Sequence, residues 1–140
     1  MIPEINLWAV LAATASTLVV GSVWYSPRVF GTWWMAAAKV DQDRAASRGL
    51  LPILVTVLVS FVTAWVLAGA TSIAHEFYQG TFLLDAVVTG VLLWAGFTAA
   101  RMVTHDAFEA RPAALTLLNL AHELVTVLVM ALIIGVMGVG

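Results

Sequence analysis

Four runs of this sequence, residues 5–25, 50–73, 82–104 and 113–137, are almost wholly apolar. A hydrocarbon layer about 30 Å thick is crossed by roughly 20 residues of helix, and each run is long enough. The chain has 140 residues, 62% of them hydrophobic and only 10% charged. A soluble domain carries about 25% charged residues, so water offers no place for so much apolar surface. Within lipid a helix satisfies its own backbone hydrogen bonds, which makes helices the spanning elements for runs of this length. The expected fold class is therefore all-α: a polytopic membrane protein with four transmembrane helices in a single domain, 1–140. The first run has no basic residue ahead of it. It is also longer than a signal-peptide core of about 7–15 residues. A retained helix is the expectation there.

The breaks between runs have local causes. Ser26-Pro27 ends the first, because the residue before proline is pushed out of the helical region. Gly49 and Pro52 bracket the start of the second, Gly80 separates the second from the third, and Arg111-Pro112 opens the fourth. All six basic residues fall in or beside the first and third connections: Arg28, Lys39, Arg44, Arg48, Arg101 and Arg111. The positive-inside rule then places those connections in the cytoplasm and both termini outside, N-out and C-out. The formal net charge is −2, which gives no reason to expect a nucleic-acid partner, and there is no cysteine for a disulfide or a thiolate metal site.

Small residues recur every four positions on two runs. Ala9, Ala13, Thr17 and Gly21 form one stripe; Thr56, Ser60, Ala64, Ala68 and Ser72 form another. Such stripes let backbones approach closely in lipid, so the first and second helices should pack tightly. Shorter pieces recur on the third: Ala86 with Gly90, and Gly96 with Ala100. A four-helix unit has few internal faces, which leaves some small faces for a homo-oligomer.

The fourth run carries the most costly residues. Counting from its start at about 1.5 Å per residue puts Glu123 roughly 15 Å deep, near the midplane, with His122 beside it and Asn119 one turn earlier. An ionisable group there faces protein or water rather than lipid. Asn119, His122 and Glu123, with Ser16 and Ser60 at similar depth on the first two helices, form the candidate intramembrane polar site. It reads either as a hydrogen-bonded cluster that fixes packing or as a proton or ion position. Adjacent His122 and Glu123 point about 100° apart, a poor chelate, so no metal is expected. His75, Glu76, Asp85, Arg101, His105, Asp106 and Glu109 lie near run ends and read as interfacial residues. No nucleophile elbow, zinc-protease helix or phosphate-binding glycine loop is present, so neither catalysis nor a cofactor is expected.

The first connection opens with Trp24-Tyr25-Ser26-Pro27. Trp24 and Tyr25 suit the aromatic belt at a span end. Ser26 can serve as an N-cap with Pro27 as first helical residue, which predicts a short interfacial helix to about Lys39. Trp24, Tyr25, Arg28, Trp33 and Trp34 are its candidate lipid contacts, and residues 41–48 read as a charge-mixed turn. This segment, with Phe30-Gly31 and Trp34-Met35, resembles the domain-of-unknown-function family 1761 of small bacterial membrane proteins. Leu93-Trp94-Ala95-Gly96-Phe97, Phe108-Glu109-Ala110-Arg111-Pro112 and His122 are similar to its later parts, so the resemblance covers nearly the whole chain. Arg28, Trp33 and Glu123 depart from its pattern. The resemblance implies a four-helix membrane protein and transfers no activity.

The leading functional expectation is a non-enzymatic protein of the bacterial inner membrane, acting as a homo-oligomer or as an accessory subunit for an unidentified membrane partner. One alternative is a small transporter or channel with a midplane His122/Glu123 site. Another is a lipid-headgroup-binding protein that grips the bilayer through Arg28 and the tryptophans.

Overall fold

A computed structural model describes residues 2–139. The elements are α1 (Leu7–Trp24), α2 (Gly31–Ala38), α3 (Gln42–Ser47), α4 (Leu51–Tyr78), α5 (Phe82–Leu93), a π-helical segment (Trp94–Ala99), α6 (Ala100–Phe108) and α7 (Ala113–Met137). α5, the π segment and α6 make one continuous span, Phe82–Phe108. Among the described residues the structure is thus all-helical, with four helices long and apolar enough to cross a membrane, as expected. α1 packs on α4 and α7, and α5 packs on α4 and α7, which closes an up-down-up-down ring.

Local chemistry sets the ends. Asn6 caps α1, its side chain accepting from the backbone N–H of Trp8 and Ala9. Its amide also donates to the Met137 carbonyl at 3.5 Å, which holds the two ends of the chain at one end of the bundle. Thr81 caps α5, accepting from Leu84 N–H. α4 runs past residue 73 to Tyr78, carrying His75 and Glu76 within the helix, and ends on Gln79 in the left-handed region. The third span likewise runs on to Phe108 rather than stopping at 104.

Two expectations for the first connection are corrected. Pro27 does not open a helix: residues 26–30 form a turn and α2 begins at Gly31. The Ser26 hydroxyl does not cap forward but donates back to the Val23 carbonyl at 2.8 Å, satisfying the exposed end of α1. Residues 41–48 are more than a turn. Asp41 accepts from Asp43 N–H and caps the short α3, all of it exposed.

α6 ends in a Schellman arrangement, with Ala110 N–H bonded to Ala107 O and Arg111 N–H to Asp106 O. Ala110 sits there at φ 54°, where a Cβ is unfavourable by roughly 1 kcal/mol. Ala110→Gly is therefore expected to raise stability by about 1 kcal/mol, read as a higher melting temperature in detergent.

The two longer small-residue stripes pack over most of their length and the Ala86–Gly90 pair is buried, whereas Gly96 and Ala100 are exposed. Ala9, Ala13 and Thr17 on α1 and Ser60, Ala64, Ala68 and Ser72 on α4 are buried, whereas Thr56 is exposed. Thr17 Oγ1 donates to Ser60 Oγ at 2.9 Å across the contact. Thr17→Val should cost about 0.6 kcal/mol in a detergent melt, the usual size of an interhelical bond in a membrane protein. Gly135 brings α7 against α5: a Cβ there would meet Leu83 Cα at 2.7 Å.

Burial is uneven along the bundle. Most core residues, Ala9, Val10, Ala13, Ala64, Leu67, Ala68, Ala86, Met130, Ala131 and Ile134, lie toward the end that holds the termini, while Leu115 is buried at the other end. Toward the other end α4 is exposed at every residue from 51 to 59, so its first turns stand clear of the bundle. All six basic residues lie toward this open end.

Candidate functional site

The turn after α1 is closed by its own backbone. Phe30 N–H bonds to Trp24 O at 3.1 Å, Val29 N–H to Ser26 O at 3.0 Å and Gly31 N–H to Ser26 O at 2.8 Å. Gly31 makes this possible, because a Cβ there would fall 2.1 Å from the Tyr25 carbonyl oxygen. The turn folds aromatic rings together: Trp24 packs on Phe30 with centroids 4.9 Å apart, and Tyr25 on Trp34 at 5.1 Å.

The same turn carries these rings onto α7. Tyr25 OH donates to Asn119 Oδ1 at 2.8 Å. The His122 imidazole lies 4.8 Å from the Tyr25 ring and 6.0 Å from the Trp24 ring. The opposing backbone is small at this level, since a Cβ on Gly21 would sit 3.9 Å from His122 Nε2. Thr126 donates its hydroxyl to the His122 carbonyl at 2.9 Å and lies 3.4 Å from Nε2, bracing the ring from the next turn. His122 Nδ1 is 3.6 Å from Glu123 Oε1, too long for a hydrogen bond but close enough for attraction when the imidazole is protonated. The Trp24 indole N–H is buried and has no acceptor among the described residues.

Glu123 continues the inward stripe of α7. It lies four, seven and eleven residues before Val127, Met130 and Ile134, all buried. Its own side chain is 40% exposed, because it stands where α4 no longer closes the bundle. Counting from the start of α7 suggested the midplane; packing instead sets Asn119 and His122 level with the end of α1. α1 is 18 residues long, about 27 Å, close to the full hydrocarbon thickness.

The two sequence-derived groups thus merge in part. Trp24, Tyr25 and Trp34 are half-buried and join Asn119, His122 and Glu123, while Arg28 and Trp33 stay exposed. Ser16 and Ser60 do not join: Ser16 donates to Ala13 O on its own helix, and Ser60 pairs with Thr17. Trp94 adds a contact that the sequence did not suggest, its indole N–H donating to Leu120 O at 3.2 Å from the π segment. The Asp106 carboxylate accepts from Thr116 at 2.6 Å and lies 3.9 Å from Arg111, which donates to Glu109 at 2.8 Å. At the opposite end, His75 pairs with Asp85 at 2.8 Å. The short α4–α5 connection was the available signal for that pair, since it sets residues ten apart on facing helices. Among the described residues no group of three or more His, Asp or Glu is placed to hold a metal ion.

The family described as "Protein of unknown function (DUF1761)" matches residues 8–135. The chain belongs to the DUF1761 family. No curated protein and no solved structure matches it. In this DUF1761 protein the residues that carried the resemblance have structural roles now visible. Tyr25 and Trp24 enclose His122, Gly31 permits the turn, Trp94 ties the third span to α7, and Ala110-Arg111 form the Schellman end of α6.

Proposed function

We propose that this DUF1761 protein is a non-enzymatic, multi-pass component of the bacterial inner membrane that works as a homo-oligomer. One observation carries the reading: residues 51–59 of α4, LPILVTVLV, are apolar on nearly every side and exposed on every side. A helix apolar all round is either a buried helix or one in lipid. Here it also leaves uncovered the inward face of α7, where the Glu123 carboxyl is 40% exposed. A second copy seated in this opening would cover both surfaces by close helix packing. The test is the mass of the protein in nonionic detergent by light scattering. A dimer or larger species is expected, shifting toward monomer when Leu54 and Leu58, 64% and 65% exposed, are both replaced by Ala. A wild-type protein that is monomeric at every concentration overturns the reading.

Six basic residues at the open end and none at the end with the termini support an N-out, C-out orientation. A cytoplasmic reporter that is active when fused after Gly140 contradicts it.

A second reading, proton or ion handling, is favoured by one feature: Glu123 faces inward, partly exposed, 3.6 Å from His122. It predicts a proton or cation flux in liposomes that Glu123→Gln abolishes while the melting temperature is kept. Absence of any wild-type flux removes this reading.

A further inference from the structure

A separate polar constellation lies at the end of the bundle that holds the termini. Asp85, in the first turn of α5, is buried to 7% exposure, and its Oδ2 pairs with His75 Nδ1 at 2.8 Å. No described residue hydrogen-bonds its Oδ1. A Cβ on Gly80 would come within 3.0 Å of that oxygen, so the bare backbone of Gly80 leaves it approachable. Asp85 heads a cavity of about 500 Å³ between α4 and α5, with Tyr78 at its rim and Leu84, Val88 and Leu92 along its wall. Those three leucine and valine positions recur every four residues. They form one apolar ridge of α5, about 12 Å long, running from the bundle end toward its middle.

The charge around the cavity selects the ligand. Glu4 and Glu76 line the neighbouring cavity on the far side of His75, and none of the six Lys and Arg residues lies at this end. The local field therefore favours a cation and opposes an anion. We propose that this groove binds an amphiphilic cation, with a primary ammonium donating to Asp85 Oδ1 and an alkyl chain lying along Leu84, Val88 and Leu92. His75 already fixes the carboxylate, so the head group meets an oriented acceptor in apolar surroundings, where a charge-assisted bond is strong. The groove opens on the flank of α4 and α5, which lets an amphiphile enter sideways from the bilayer. This inference does not depend on the oligomer or on Glu123.

The experiment is calorimetric titration of the full-length protein in nonionic detergent with dodecylamine, compared with dodecanol and dodecanoate. Dodecylamine is expected to bind at least about tenfold more tightly than dodecanol, with dodecanoate not binding. Asp85→Asn should weaken dodecylamine about tenfold or more. Leu92→Trp, at a position 65% exposed and away from the His75 pair, should block the chain while the protein melts as the wild type does. Equal affinity for dodecylamine and dodecanol overturns the proposal, and so does dodecylamine binding that Leu92→Trp leaves unchanged.

Discussion

Gly31→Ala is expected to abolish the fold of the first connection and to lower stability by roughly 3 kcal/mol, at the upper end of overpacking effects. The added Cβ would stand 2.1 Å from Tyr25 O and 2.8 Å from both the carbon and the oxygen of the Ser26 carbonyl. These are backbone atoms, so no side-chain rotation relieves the clash. The turn must open, and with it go the hydrogen bonds from Phe30 to Trp24 and from Gly31 to Ser26. Opening also withdraws Tyr25 from Asn119 and both aromatic rings from His122, so the damage reaches α7. Gly96→Ala is the matched control: a Cβ there meets nothing within 4 Å, and the helix gains up to about 1 kcal/mol of propensity. Melting curves of the two variants in the same detergent should move in opposite directions. A Gly31→Ala protein that melts with the wild type means the turn is not built this way.

Gly135→Ala is expected to lower stability by about 1–3 kcal/mol through a different mechanism. Gly135 marks the close approach of α7 to α5. A Cβ would lie 2.7 Å from Leu83 Cα, 2.8 Å from Leu83 Cδ1 and 3.3 Å from Ala86 Cβ. Leu83 Cδ1 can rotate aside; Leu83 Cα moves only if the helices separate. Separation loosens the contacts of Ala86, Val127 and Ala131 in the core. In lipid the interhelical gain rests on such close packing, so a small separation is felt along the whole contact. Gly135→Ala should therefore show a lowered melting temperature and faster proteolysis of the α5–α7 half.

The span count, the helical class and the α1–α4 contact were legible because each rests on a pattern within one run of sequence. Ala9, Ala13 and Thr17 faced inward because their four-residue spacing places them on one helix face. Helix ends were less legible. Ser26 looked like a forward cap, but whether its hydroxyl serves the helix before or after it depends on where the chain turns, and Gly31 decides that through a contact with Tyr25. The site was legible by halves. Asn119, His122 and Glu123 stood out as costly residues, and Trp24 and Tyr25 as aromatics at a span end. Their meeting was not legible, because depth was counted separately on each helix. α1 ends at Trp24 while α7 continues beyond it, so the end of one span lies against the interior of another. The His75–Asp85 pair was hidden for a similar reason, since both residues lie near span ends and read singly as interfacial.

The central claim is that the first connection and the polar residues of α7 form one site. A double-mutant cycle on the Tyr25–Asn119 bond tests it most directly, with stabilities measured for Tyr25→Phe, Asn119→Ala and the double variant. The 2.8 Å bond predicts a coupling of about 0.6–1 kcal/mol, the double variant losing less than the sum of the single losses. Strict additivity of the two losses would contradict the claim.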